Sequence, residues 1–126
     1  MIERHGSGGP WEAAFGYSRV VSAGGWVLTA GCTSTVEGVV THVGDAGAQA
    51  REAFEIGLSA LAAAGATIEQ VVRTRMYIVD PADADAVGAA HGAIFAGVRP
   101  ASTLVVVARL IRPEHLVEVE LEAFTG

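Results

Sequence analysis

The chain has 126 residues, of which 51% are hydrophobic and 17% charged, which predicts one folded domain over residues 1–126 around a hydrophobic core. Its 8 basic and 14 acidic residues give a net charge of −6, and this balance disfavours general binding to nucleic acids or anionic lipid. The sequence has no lysine, no asparagine and one cysteine, Cys32, which excludes a Schiff-base lysine, a P-loop, an internal disulfide and a multi-cysteine zinc site.

The first ten residues carry Glu3, Arg4 and His5 and no apolar run, so no secretory signal is expected. The apolar stretches are much shorter than the roughly 20 residues that a membrane-spanning helix needs. A lone cysteine makes a reducing compartment the default. These features predict a cytoplasmic protein without a membrane partner. The 4 histidines show no metal-ligand spacing, so no metal site is expected.

The first third of the chain is predicted to be a loop followed by strands. The glycine-rich segment Gly6–Pro10 is expected to be a flexible loop. The segments Ser18–Ala23 and Trp26–Gly31 are predicted to form a hairpin around a glycine pair. The segment Val36–Val43, interrupted by Gly38, is predicted as a third and weaker strand.

A helix is predicted to follow Asp45, whose side chain is suited to the N-cap position. Gly65 is well placed to end the helix, because glycine readily adopts the left-handed conformation of the residue after the C-cap. The apolar residues recur at helical spacing as one stripe. The stripe consists of Ala50, Phe54, Leu58 and Leu61.

The next strand is predicted at Val71–Val79, with Arg73, Arg75 and Tyr77 on one face. Asp80 and Pro81 then open a second helix, since proline is favoured in a first helical turn. Gly97 and the Arg99–Pro100 pair end that helix, and two more strands follow.

The strand predicted at Ser102–Ala108 is apolar on both of its alternating faces, which is typical of a strand covered on both sides. The last strand, Leu116–Phe124, alternates apolar residues with Glu118, Glu120 and Glu122. Two helices with short right-handed connections cover only one face of the resulting sheet. We therefore predict an α+β fold, a mixed sheet with two helices on one face, whose other face is covered by a second copy of the chain in a homo-oligomer.

Several segments, spread in order over nearly the whole chain, resemble the Rid family, the YjgF-like reactive-intermediate deaminases formerly described as endoribonuclease L-PSP. The matching segments are Phe15–Ser18, Val27–Gly31, Ala63–Ala66, Val71–Thr74, Arg99–Ser102, Val107–Leu110 and Val117–Ala123. The resemblance implies a chorismate-mutase-like fold and a homotrimer with three clefts between subunits. It also implies hydrolysis of reactive enamines and imines, such as 2-aminoacrylate, to 2-keto acids and ammonia, without metal or cofactor.

The resemblance also implies roles for individual residues. Tyr17 and Glu120 match the family's catalytic tyrosine and glutamate, and Gly31 matches a glycine that lets the ligand approach the backbone. Cys32 stands where many members have glutamine, and is expected in the pocket wall. Ser102 occupies the place of the arginine that clamps the substrate carboxylate, so the clamp is missing.

Other positions are candidates for the same pocket. Arg75, mid-strand beside Arg73 and Tyr77, is the best substitute for the missing cation, followed by Arg19; both could equally be ion-pair partners within the fold. Gly88 stands where some members carry a helix asparagine and Leu104 where some carry a cysteine, and His91 could face the cleft from the second helix. Glu118 is predicted to lie at the surface. Like charges two residues apart on a strand raise each other's pKa, which suits a group that takes up a proton near neutral pH.

Three function classes follow. The first is a small-molecule-binding trimer that hydrolyses imines or enamines, with Glu120 activating water and Tyr17 orienting the ligand. The second is a trimer that binds a ligand without catalysis, which the serine at position 102 favours, because a neutral hydroxyl replaces a two-pronged charged donor. The third is an endoribonuclease, which the acidic balance and the absence of lysine disfavour.

Overall fold

A computed structural model describes all residues from Met1 to Gly126. It contains three α-helices, α1 (Pro10–Phe15), α2 (Ala46–Ala63) and α3 (Ala84–Phe95). The strands are β1 (Ile2–His5), β2 (Val20–Ala23), β3 (Trp26–Thr29), β4 (Cys32–Thr33), β5 (Thr35–Val36), β6 (Val39–Val40), β7 (Val71–Ile78), β8 (Ala101–Val106) and β9 (Val117–Phe124). No helix combines the length and the apolar character needed to cross a membrane.

The main sheet is mixed, in the order β1-β2-β3-β9-β7-β8, with β4 pairing with β9 beyond the end of β3. Only β7 and β8 run parallel; the other neighbours are antiparallel. Helix α3 connects the parallel pair, since parallel strands need a crossover. The predicted α+β fold with a mixed sheet is confirmed.

Helices α2 and α3 pack on one face of the sheet and enclose the hydrophobic core. Alternate residues of the two central strands point into it, including Met76, Ile78, Val119 and Leu121, all at most 5% exposed. From the helix side, Phe54 is fully buried and packs edge-on against Phe95. The opposite face, which we call the open face, has no cover within the chain.

Helix α2 begins and ends where the sequence predicts. The Asp45 carboxylate accepts a hydrogen bond from the Ala48 amide at 3.0 Å, which satisfies one of the unpaired amides of the first turn. After the last helical residue, Gly65 adopts a φ of +90°, a conformation that costs glycine little. Its amide donates to the Ala62 carbonyl at 3.0 Å.

The N-terminal region differs from the prediction. The expected loop shrinks to four residues between β1 and α1, because a helix starts at Pro10. Glu12 on that helix is 8% exposed and accepts hydrogen bonds from the Ser7 amide and hydroxyl, which holds the loop in place. Burial alone would raise the pKa of Glu12, but the bonds from Ser7 and the nearby Arg19 lower it overall.

One strand prediction is also corrected. The third strand is instead a pair of two-residue strands, β5 and β6, on either side of Glu37 and Gly38, which both have positive φ. Strand β8 lies at the edge of the sheet and five of its six residues are exposed, so the cover predicted for both of its faces stays a prediction. The chain itself supplies no cover for the apolar residues Val105 and Val106.

Candidate functional site

The open face carries a row of charged side chains on the two central strands. In the antiparallel register Arg73 lies opposite Glu122, Arg75 opposite Glu120, and Tyr77 opposite Glu118. These residues alternate with buried ones along both strands, because successive side chains of a strand point to opposite faces. The charges on the two predicted strands are therefore neighbours.

One end of this row is a closed ion-pair network. The Arg75 Nη1 atom donates to Glu122 Oε1 at 2.8 Å and to Glu120 Oε1 at 3.3 Å, and the Tyr77 hydroxyl donates to Glu120 Oε1 at 2.7 Å. Arg73 Nε lies 3.8 Å from Glu122 Oε2. Because its guanidinium is shared between two carboxylates, Arg75 does not present an unpaired cation to a ligand, and the ion-pair alternative describes it better than the clamp.

The other end of the row lies where strand pairing with β9 passes from β3 to β4. The pairing breaks between Leu28 and Cys32, and the Leu121 amide donates to the Thr29 hydroxyl at 3.0 Å. Gly31 lies in this break. A Cβ atom built on Gly31 would come within 1.9 Å of Glu118 Oε2, so the space beside the glycine holds the Glu118 carboxyl. The sequence predicts that the glycine makes room for a ligand, but in this chain it makes room for a side chain.

Arg19 ties this end of the row to the segment before β2. Its Nη1 donates to the Gly31 carbonyl at 2.5 Å, its Nε lies 3.7 Å from Glu12 Oε2, and its guanidinium carbon lies 5.7 Å from the centre of the Tyr17 ring. A cation at that distance from an aromatic ring is attracted to its face. Arg19 thereby links Tyr17 to Gly31, and its engagement leaves it poorly suited to clamp an anion.

Glu118 is half-buried and not the surface residue that the sequence predicts. Burial raises the pKa of Glu118, the adjacent charge of Glu120 raises it further, and Arg19 opposes the shift. No hydrogen bond or ion pair within 4.0 Å involves its carboxyl. Every buried polar side-chain atom in the chain has a partner, so the unpartnered Glu118 oxygens remain accessible to solvent. We call Tyr17, Arg19, Gly31, Glu118 and Glu120 the acidic cluster.

Cys32 touches this cluster through Arg19, whose Nη1 donates to the Cys32 Sγ at 3.6 Å. It is 1% exposed and pairs with Val119, which places it on the helix side, where its Sγ lies 3.7 Å from a Cβ built on Gly57. Burial raises the pKa of the Cys32 thiol, although Arg19 opposes this. The expected pocket-wall residue is therefore part of the hydrophobic core and stays protonated near neutral pH.

A second polar group, which we call the edge cluster, joins Thr74, His91 and Ser102. The fully buried Thr74 hydroxyl donates to Ser102 Oγ at 2.8 Å and lies 2.8 Å from His91 Nε2. The His91 ring packs against Phe95 with centroids 4.7 Å apart, and burial lowers the pKa of His91. Ser102 itself is exposed. The candidates predicted from the sequence do not include Thr74. It is the polar residue among the otherwise apolar buried positions of strand β7, and this could have indicated a buried hydrogen-bonding group.

The two clusters do not meet within one chain. Ser102 pairs with Thr74 and shares its side of the sheet, whereas Glu120 pairs with Arg75 on the open face. Leu104, two residues after Ser102, lies on the same side as Ser102. Gly88 lies on the exposed surface of α3, with no atom within 4 Å of a built Cβ. The structure thus places Glu118 beside Gly31, which Arg19 links to Tyr17, and it separately joins His91 and Ser102 through Thr74.

A cleft of about 500 Å³ opens elsewhere, between α2 and the strands β1 and β2. Its lining includes His5, Ser7, Glu52, Glu55 and Ser59. Arg19 is the one member of either cluster that reaches it. Ser102 and the Glu118 oxygens are accessible to solvent in the single chain, so a ligand held by either cluster needs further cover.

Known proteins are similar to this chain over most of its length. The family model described as "Endoribonuclease L-PSP" matches residues 10–125. The uncharacterized protein SCO2049 of Streptomyces coelicolor is 42% identical over 125 residues, which cover 99% of this chain and 93% of that protein. The 3-aminoacrylate deaminase RutC of Acinetobacter baylyi is 35% identical over 80 residues, covering 64% of this chain and 63% of RutC.

Solved structures show the same fold. Rv2704 of Mycobacterium tuberculosis, described as a member of the YjgF/YER057c/UK114 family, superposes with a TM-score of 0.89 at 39% identity, covering 98% of this chain and 99% of Rv2704. The yjgF gene product of E. coli superposes with a TM-score of 0.80 at 26% identity, covering 98% of this chain and 94% of that protein.

Proposed function

The chain belongs to the endoribonuclease L-PSP (YjgF/Rid) family, and from this premise we propose that it binds a small imine or enamine and hydrolyses it to a carbonyl compound and ammonia. The observation that carries the proposal is the acidic cluster, in which a half-buried carboxyl with a raised pKa lies beside Gly31, and Arg19 links Gly31 to Tyr17. Hydrolysis of a C=N bond needs a group that gives and takes protons, and raising the pKa of a carboxyl makes it better suited to that role.

The relatives support this reaction class. RutC is named for the deamination of 3-aminoacrylate, an enamine, and its similarity reaches over part of this chain. The family resemblance assigns the acid–base role to Glu120, with Tyr17 orienting the ligand. Tyr17 is 40% exposed, and its hydroxyl is suited to donate a hydrogen bond to a substrate oxygen.

The proposal places the ligand between subunits of a homotrimer. The open face exposes Trp26, Leu28, Val105 and Phe124, each 40–46% accessible, and an apolar surface of this kind is typical of an interface. A second copy that packs there would enclose the acidic cluster and exclude water from it. Light scattering is expected to give a mass of three chains of 12.9 kDa, and a stable monomer would contradict the assembly.

A ligand-binding role without catalysis is the second candidate, and Ser102 favours it. A serine hydroxyl offers a carboxylate one neutral hydrogen bond, whereas an arginine offers two charge-assisted ones. The Ser102 hydroxyl is also engaged with Thr74 at 2.8 Å. The binding role predicts that a keto acid binds in calorimetry while imine hydrolysis stays at the uncatalysed rate.

Ribonuclease activity, to which the description of the family refers, is the least supported. A net charge of −6 disfavours RNA binding, since the phosphate backbone attracts positive protein surface. Prolonged incubation of RNA with the pure protein is expected to leave the RNA intact.

The central experiment measures imine hydrolysis directly. An amino acid oxidase acting on alanine generates 2-iminopropanoate, and an amine oxidase generates an imine without a carboxylate, which Ser102 makes a suitable second probe. Release of the carbonyl product is compared with the uncatalysed rate. We expect at least about hundredfold acceleration for one of the probes, the lower end of the range of general acid–base catalysis.

Tyr17→Phe is the first variant to compare with the unmodified protein. Loss of one neutral hydrogen bond of about 1 kcal/mol predicts a KM raised about fivefold. An unchanged KM would remove Tyr17 from the ligand site. No acceleration of either probe by the unmodified protein would exclude the hydrolase and leave the binding role.

A further inference from the structure

We propose that Glu118, and not Glu120, carries the proton in this hydrolysis, and that Glu120 is a fixed anion which positions and tunes Glu118. The inference rests on the proposed function and deepens it by assigning its acid–base group. It starts from the contacts of the three glutamates that β9 presents on the open face. Two of them are held by cations and hydroxyls of β7, and Glu118 is not.

Glu120 is occupied. Its Oε1 atom accepts hydrogen bonds from the Tyr77 hydroxyl at 2.7 Å and from Arg75 at 3.3 Å. Both donors engage the same oxygen of the carboxylate, so Glu120 is already held by β7. A group held in this way is suited to a positioning role.

Glu118 has the opposite surroundings. Its carboxyl lies against the backbone of Gly31, without a hydrogen-bond or ion-pair partner, while its oxygens keep contact with solvent. The break between β3 and β4 and the missing side chain of Gly31 together create the space that it occupies. Both are features of the local backbone, so the position of the carboxyl is built into the fold.

The charged and titratable groups that act on Glu118 from its own face come from three elements: Glu120 lies on its own strand, Tyr77 on the neighbouring β7, and Arg19 precedes β2. The neutral thiol of Cys32 in β4 lies on the opposite face of the sheet. Burial and the charge of Glu120 raise the pKa of Glu118, and Arg19 moderates the rise. The fixed negative charge of Glu120 thus favours the protonated acid next to the place where a ligand would sit.

The proton steps balance with one carboxyl. Protonated Glu118 gives its proton to the imine nitrogen. A water oxygen then bonds to the imine carbon while the π electron pair of the C=N bond moves to nitrogen. The Glu118 carboxylate takes a proton from that water. The carbinolamine now carries a hydroxyl and an amino group. Glu118 protonates the amino group, the C–N bond breaks to release ammonia, and the carboxylate takes the hydroxyl proton. One imine and one water become one carbonyl compound and one ammonia.

The test compares Glu118→Gln with Glu120→Gln on whichever imine the unmodified protein hydrolyses. We expect Glu118→Gln to lower turnover by about 10²-fold or more, the usual contribution of a general acid–base group. In the unmodified protein, turnover should fall as pH rises through the pKa of Glu118, because the cycle begins with the acid. Glu120→Gln should lose less turnover and shift this fall by about one unit to lower pH, since the neighbouring charge is gone.

Two controls keep the comparison interpretable. Glu122→Gln removes the same charge from the same strand face, at a carboxylate paired with Arg73 and Arg75, and should leave the pH profile unmoved. Folding of Glu118→Gln is checked by its melting temperature. The pKa of Glu118 is raised by folding, so its ionisation destabilises the native state as pH rises. At pH 8 the variant should therefore melt at or above the unmodified protein.

The outcomes separate the two proposals. Hydrolysis that survives Glu118→Gln with the pH profile intact, and is lost in Glu120→Gln, overturns the assignment and leaves the hydrolase. Absence of hydrolysis in the unmodified protein overturns the hydrolase and the assignment with it. Loss of imine hydrolysis in Glu118→Gln, together with a shifted pH profile of turnover in Glu120→Gln, supports both the hydrolase and the assignment of Glu118.

Discussion

The acidic cluster and the edge cluster are built from the same kinds of strand and differ in what they can do to a ligand. The acidic cluster has an unpaired, half-buried carboxyl beside a glycine. The edge cluster has three neutral groups that bond to one another, with the buried Thr74 at the centre. The first is equipped to move a proton, and the second to offer neutral hydrogen bonds.

The difference shows which half of the family pattern this chain keeps. The residues matching the family's tyrosine, glycine and glutamate are all present, and the glutamate, Glu120, lies on the open face. The position that matches the carboxylate-binding arginine is Ser102, on the other side of the edge strand. The groups that the proposed hydrolysis would use are therefore retained more completely than the cation that would hold an acidic substrate. Four variants test this contrast.

Ser102→Arg should have the largest effect, because it adds to the edge cluster the cation that it lacks. A guanidinium–carboxylate contact worth about 1.5–3 kcal/mol predicts roughly ten- to hundredfold tighter binding of a 2-keto acid. Ser102 is exposed, so the longer side chain has room, and the buried Thr74 hydroxyl keeps His91 as a partner when its bond to Ser102 is lost. Titration calorimetry with pyruvate measures the gain.

Ala93→Arg is the matched control for that variant. It adds the same charge at an exposed position of α3 outside both clusters. Equal gains in the two variants would mean that net charge alone attracts the anion, and would separate Ser102 from the ligand site.

Gly31→Ala tests the acidic cluster by adding a methyl group where the Glu118 carboxyl lies. The new Cβ would lie 1.9 Å from Glu118 Oε2, so the carboxyl has to move away. Because the displaced atom is the end of a flexible side chain and the φ of Gly31 is not positive, the stability cost should stay near 1 kcal/mol. Turnover should fall about tenfold or more.

Gly97→Ala is the control, since a built Cβ there meets nothing within 4 Å and the position lies outside both clusters. Full imine hydrolysis in Gly31→Ala would show that the position of the Glu118 carboxyl does not matter for turnover.

His91→Gln tests the edge cluster through pH. Burial lowers the pKa of His91, so the unfolded chain binds a proton more readily than the folded chain, and stability falls as pH drops below about 6.5. The buried His115 behaves in the same way, through burial and the charge of Arg112. The variant should lose less stability between pH 7.5 and 5 than the unmodified protein, by up to about 1.4 kcal/mol per pH unit.

Urea unfolding at the two pH values measures this difference. Glutamine is chosen because it offers Thr74 a hydrogen-bond partner in place of the ring nitrogen. An equal loss of stability in both proteins would assign the acid sensitivity to other groups.

Arg75→Gln should have the smallest effect. The Arg75 side chain is 38% exposed, and ion pairs that solvent reaches contribute little to stability. If Arg75 only links Glu120 and Glu122, the KM for a carboxylate-bearing imine should change by less than about threefold. A tenfold rise in KM would reinstate Arg75 as the substitute for the missing clamp.

Much of the architecture follows from local patterns in the chain. The capping residue Asp45, the stripe through Phe54 and Leu61, and Gly65 define helix α2. Strict alternation along β7 and β9 shows which of their residues share a face. The segments that match the family cover most of the chain, so the fold and the candidates Tyr17, Gly31 and Glu120 could be predicted from the amino-acid sequence alone.

The rest depends on long-range pairing, which local periodicity does not contain. A strand's alternation says which residues share a side. Only the register with its neighbours says which side that is and what lies across from it. The break between β3 and β4 places Glu118 beside Gly31 and orients the Cys32 side chain toward the core. The register of β8 places Ser102 beside Thr74 and away from Glu120. Both clusters are assembled from residues far apart in sequence, so the sequence determined the candidate groups, and only tertiary contacts decided which of them meet.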